Sequence, residues 1–160
     1  MALVIELKGV IMIRRQSKSR NLRSGAVIVE MALVLPIFLM LVFGIIEFGR
    51  GFMVGQLVTN AAREGARRAI LDGSTNADIT SYIQTFMQQS ANVSTADTTV
   101  TITVAAAPGN PPVSGNDVAL CTSRDLVTVK VEVPFDKVAY ISGKYLAGKK
   151  MTGQASMRHE

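Results

Sequence analysis

The sequence is poor in reactive side chains: it has one cysteine, Cys121, and one histidine, His159. A lone cysteine excludes an intramolecular disulfide, and neither residue has a second ligand at metal-binding spacing. No glycine-rich phosphate loop is present, and Cys121 has no base beside it in sequence to draw off its proton. His159, next to the C-terminus, reads as a tail residue rather than a catalyst or ligand. No nucleophile and base come together in this inventory, so the expectation is a non-enzyme with no cofactor and no metal.

Charge of one sign is also scarce outside one short tract. The net charge is +5. Residues 1 to 25 hold Lys8, Arg14, Arg15, Lys18, Arg20 and Arg23 against Glu6, which accounts for all of it, and the remaining chain carries eleven basic and eleven acidic side chains. A nucleic-acid binder needs its positive charge on a folded face, so no nucleic acid is expected as a partner. A basic tract just before an apolar run instead fits the positive-inside rule and predicts a cytoplasmic N-terminus.

What the chain does have is one long apolar run. AVIVEMALVLPIFLMLVFGII, from Ala26 to Ile46, is interrupted only by Glu30. As a helix it would be about 31 Å long, which matches a bilayer core of about 30 Å. A cleaved secretory signal usually has an apolar core of only about 7 to 15 residues, so a single membrane span is the expectation. Pro36 removes one backbone donor inside it and should loosen or kink the helix, a packing feature that membrane helices tolerate. Glu47 ends the uncharged stretch, and Glu47 and Arg50, spaced i,i+3, are expected as a pair near the outer interface.

Helical character should continue from residue 48 to 71, because Ala, Leu, Arg, Glu and Gln recur without proline. Val54, Val58, Ala61, Gly65 and Ala69 then form a narrow apolar face of mainly small side chains. Glu64 can pair with Arg67 and Arg68, or simply belong to a solvated surface. Asp72-Gly73-Ser74 should stop the helix, and Asp78 to Gln89 predicts a second one, with Ile79, Ile83, Phe86 and Met87 on one side. TTVTITVA alternates with Val100, Ile102 and Val104 on one face, and Leu126 to Val133 alternates with four valines on one face, so both predict strands. Between them, the prolines and glycines of 107–124 predict an exposed loop containing Cys121. Residues 135–148 are less regular, with Val138, Ile141, Tyr145 and Leu146, and a last strand is expected around 150–157.

The expected fold is therefore α+β: a long N-terminal transmembrane helix continuing outward, then a small head with a short helix and about three antiparallel strands. The expected divisions are a basic leader at 1–25, a span at 26–47, its outward continuation at 48–71 and the head at 72–160.

The junction Gly25-Ala26-Val27-Ile28-Val29-Glu30 lies between the basic tract and the apolar run. It resembles the cleavage site of type IV prepilin peptidases, which cut after the glycine and use a glutamate at mature position five. The resemblance implies that Gly25 precedes the cut, Ala26 becomes the new N-terminus and Glu30 is that glutamate. An ionisable group at the centre of a span costs on the order of 3 kcal/mol and less near an interface, so Glu30 either serves assembly or snorkels to the interface. In the pilin reading, the Glu30 carboxylate pairs with the free amine of a neighbouring subunit's Ala26.

GAVIVEMALVLPIFLMLVFGIIEFGR, the later TNAAREGAR and the C-terminal TGQASMRHE are similar to TadE-like minor pseudopilins of tight-adherence (Tad/Flp) pilus systems. That resemblance implies a cell-envelope protein of pilus biogenesis, and so of adhesion. Its implied partners are a prepilin peptidase, other pilins or pseudopilins, pilus-assembly membrane proteins and the lipid bilayer. It also implies a single pass through the bacterial cytoplasmic membrane with the head outside. The opening MALVIELKGVI is more apolar than such a leader requires, and Met12 would open an ordinary basic one. The alternative is a permanently anchored extracytoplasmic binding or sensor module, whose N-terminus stays uncut.

Overall fold

A computed structural model describes residues 22–139 and 146–160. The basic residues from Lys8 to Arg20, Met12, Ile141 and Tyr145, all named above, lie outside the described residues. One helix, α1 (Leu22–Ala69), continues through Pro36. It is followed by α2 (Asn76–Ala91), β1 (Thr99–Ala105), β2 (Leu126–Pro134) and β3 (Lys150–Arg158). This is the α+β architecture expected. The chain divides into two compact units, Met1–Phe38 and Leu39–Glu160.

The described part of the first unit is helix alone. Every residue from Gly25 to Phe38 is exposed, including Val27, Ile28, Leu33, Ile37 and Phe38. Exposed apolar side chains on all sides of a helix suit a segment able to cross a membrane.

The second unit packs the C-terminal part of α1 and α2 against one face of a three-stranded antiparallel sheet in the order β1-β2-β3. Ile102 faces Val129 and Val129 faces Ala155 across the ladders. The alternation read from the sequence reappears as burial: Val127, Val129, Val131 and Val133 are fully buried, while the residues between them are half-exposed. Each such valine contributes roughly 1.5 to 2 kcal/mol of apolar transfer, so β2 is the centre of the core. Ile79, Ile83 and Met87 of α2 meet it, with Val54, Val58, Ala61, Ala62, Ala66 and Ala69 of α1.

The small residues of α1 let the layers approach closely. A Cβ built on Gly65 would lie 2.6 Å from Ile83 Cδ1 and 3.3 Å from Val129 Cγ1. The end of α1 is closed where expected: the Ser74 hydroxyl donates to the Arg68 carbonyl at 2.7 Å, and Gly73 takes a φ of +79°, which costs glycine little. At the start of α2 the Thr75 hydroxyl accepts from the Asp78 N–H at 3.2 Å and donates to its carboxylate at 2.7 Å. This side-chain cap satisfies an N–H that has no partner within the helix.

The 107–124 segment departs from the exposed loop expected. It has no strand, as its prolines require, but Ala107 and Val118 are buried and Cys121 is half-buried. Two asparagines fold it inward. The Asn76 side chain donates to the Asn116 carbonyl and accepts from the Val118 N–H, and the Asn116 side chain accepts from the Val104 N–H of β1.

Candidate functional site

Gly25 and Ala26 lie near the start of α1, and a Cβ on Gly25 would meet nothing within 4 Å. Glycine inside a helix costs about 1 kcal/mol relative to alanine, so this junction is a weak point in the helix. Glu30 is exposed and stands four residues after Ala26, one turn along the same face. It is the one ionisable side chain between Gly25 and Ile46.

Glu47 and Arg50 belong to the second unit, and the head takes hold of both. They are 6% and 9% exposed. The Arg50 guanidinium donates through Nε to the Val138 carbonyl at 3.0 Å and through an Nη to the Ala91 carbonyl at 2.9 Å. Ala91 is the last residue of α2, where carbonyls lack helical partners and the helix dipole is negative, so a cation is well placed there. Glu47 Oε1 accepts the Leu146 N–H at 3.0 Å. Two charges at the edge of the apolar run thus tie the end of α2 and the segment before β3 to α1.

Sequence reasoning missed Asp125. It is 0% exposed and immediately precedes β2. The carboxylate accepts from the Ala107 N–H at 2.8 Å, the Asn110 amide at 2.6 Å, the Thr122 N–H at 2.9 Å and the Thr122 hydroxyl at 3.0 Å. The backbone bonds from Ala107 and Thr122, followed by the Asn110 bond, hold this carboxyl well below the usual carboxylate range. Its only sequence signal was Thr122 three residues upstream, the spacing of a local side-chain turn.

Asp125 also organises the C-terminus. Its carbonyl accepts the His159 N–H at 2.8 Å, and the Arg124 N–H donates to the His159 carbonyl at 2.7 Å. His159, expected as tail decoration, is therefore docked, with its side chain only 12% exposed and Nε2 3.9 Å from Asp72. Burial, and then the nearby Asp125 and Asp117 charges, push the Cys121 thiol up, so it lacks the thiolate character of a nucleophile. Glu64 pairs with Arg67 at 2.7 Å and Arg68 at 3.2 Å, and Arg68 stacks 3.5 Å over the Tyr82 ring of α2. Among the described residues no group of three or more His, Cys, Asp or Glu is placed to hold a metal ion.

The molecule is thus an α+β protein with, among the described residues, one helix long and apolar enough, by length and composition, to cross a membrane. Residues 25–67 match the family model described as TadE-like protein, so the resemblance read from the sequence stands over that segment. The matched segment lies within the helix that is long and apolar enough to cross a membrane. No curated protein and no solved structure matches the chain.

Proposed function

We propose that this chain is a minor pseudopilin acting in assembly of a Tad-type type IV pilus, and through it in adhesion, with no catalytic activity of its own. The observation that carries the reading is that the TadE-like match over 25–67 begins on an apolar stretch of helix, 25–41, whose residues are all exposed and include a single carboxylate, Glu30. In this reading residues 1–25 are a basic leader on the cytoplasmic side and 26–47 form the span. Residues 48–71 continue the helix on the extracytoplasmic side, and 72–160 complete the head. A prepilin peptidase hydrolyses the Gly25–Ala26 bond. The freed α-amine of Ala26 then meets the Glu30 carboxylate of a neighbouring pilin or pseudopilin, which removes the cost of an unpaired charge in lipid. Glu47 and Arg50 lie at the level of the outer interface, shielded from it by the head.

The test is the mature N-terminus in the native host, read by intact mass. Wild-type protein should begin at Ala26, and Gly25→Leu should accumulate precursor because a bulky side chain blocks approach to the bond. An N-terminus that still includes Arg23 would instead make this a permanently anchored binding or sensor module.

A further inference from the structure

We infer that the outer lipid leaflet reaches past Glu47 to the level of Phe52 and Met53, so that the base of the head is embedded in the membrane interface. The inference rests on the reading of α1 as a span and deepens it.

The two faces of α1 turn from apolar to polar at different heights. On the face toward the head, the first ionisable residue after Glu30 is Glu47, and Glu47, Arg50, Val54 and Val58 are all buried there. The opposite face, followed in steps of three and four, runs through Leu41, Ile45 and Phe52 before it reaches Gln56, Asn60 and Arg63, every one of them exposed. Hydropathy read along the chain therefore stops the span at Glu47, although the head already hydrogen-bonds that carboxylate. The outward face stays apolar until Gln56. Phe52 is 75% exposed and Met53 50%.

Six further residues of helix rise about 9 Å. That is close to the thickness of the headgroup region on one side of a bilayer, roughly 5 to 8 Å. Left in water, a phenylalanine and a methionine side chain would forgo the apolar transfer free energy that burial in lipid supplies. Lipid is the occupant favoured because this face is continuous with the apolar helix surface before it, with no polar residue between Leu41 and Phe52 on the outward side. A groove of about 480 Å³ opens beside it, with Phe52, Gly51 and Gly55 on the helix side and Leu146 and Met151 opposite. Along the helix its lining changes from apolar to polar at Gln56 and Thr59, the order in which an acyl chain gives way to a headgroup.

The chain contains no tryptophan, so single-tryptophan variants of the full-length protein report on position without background. Phe38→Trp, Phe52→Trp and Asn60→Trp would be reconstituted in phosphatidylcholine–phosphatidylglycerol vesicles with bromine on acyl carbons close to the headgroup. Phe52→Trp should emit to the blue of Asn60→Trp and be quenched about threefold more strongly, as interfacial aromatic residues are. Quenching at position 52 no greater than at 60, with Phe38→Trp buried among the chains, would overturn the inference and leave the span intact. Blue-shifted but unquenched emission from position 52 that depends on protein concentration would also overturn it, in favour of a second copy covering the patch. Failure of Phe38→Trp to respond to any lipid would sink the span reading itself.

Discussion

Gly153 of β3 lies directly on the backbone of α1 at Thr59: a Cβ added to it would sit 2.7 Å from the Thr59 Cα and N and from the Val58 carbonyl carbon. The strand crosses the helix here with no side chain between them. The Thr59 side chain is turned along its own helix, its hydroxyl donating to the Gly55 carbonyl at 2.8 Å.

Gly153→Ala should destabilise the head by about 2 to 3 kcal/mol, because the obstacle is backbone and cannot rotate away. Gly65→Ala should be nearly neutral. Its nearest obstacle is the far end of Ile83, with Ile83 Cγ1 and Val129 Cγ1 just behind, and the overpacking is offset by the roughly 1 kcal/mol that alanine regains in a helix. Denaturant unfolding of both variants in detergent compares them directly. Equal losses would contradict the distinction between a backbone and a side-chain contact.

Arg50→Ala should destabilise the head by roughly 2 to 4 kcal/mol, since it leaves the buried Ala91 and Val138 carbonyls without these donors. Arg50→Lys should recover only part of the loss, because a single ammonium cannot reproduce the planar fork that reaches both. Protease resistance of the head is the readout, while membrane fractionation should stay at the wild-type level. Full recovery by lysine would mean that charge alone matters at this position.

The lowered Asp125 carboxyl makes the head sensitive to acid in one direction. A group whose folded pKa is depressed contributes stability above its unfolded value, about 3.9 for aspartate, and loses it as the pH falls through that value toward the folded one. Wild-type Tm should therefore fall steadily below about pH 4. Asp125→Asn should start from a lower Tm at neutral pH and show a shallower acid slope. The slope does not vanish, because ion pairs also lower Glu64 and Glu132. Parallel slopes for the two proteins would show that Asp125 is not the titrating group.

Glu30→Val should leave membrane insertion at least as favourable as in the wild type, since it removes a charge worth about 3 kcal/mol at mid-span and less toward the interface. Pilus assembly should nevertheless be lost or sharply reduced. Immunoblots of membrane fractions, scored beside filament counts, separate the two effects. Normal filaments at wild-type protein level would end the role proposed for this carboxylate.

Local periodicity determined much of this protein. The apolar run, the small-residue face of α1, the helix around Ile79 and Ile83, and the alternating valines of β2 are repeats of two or of three to four residues, and the structure places each as its repeat requires. Glu30 stood out for the same reason, as one charge in an apolar stretch. Contacts between distant residues were decided only by the tertiary structure. Arg50 finds its acceptors 41 and 88 residues away, and Glu47 finds its donor 99 residues away. From the sequence, these two charges read as an i,i+3 pair at the edge of a span, with no sign of the distant backbone groups that they bind. Asp125 went unnoticed in the sequence because Ala107 and Asn110 meet it from across the loop, and His159 looked like a tail until Asp125 bound its backbone. Spacing along a chain reports which face a side chain takes within its own element. It carries no information about which other element will cover that face, and at Glu47, Arg50, Asp125 and Gly153 that covering determines what each residue does.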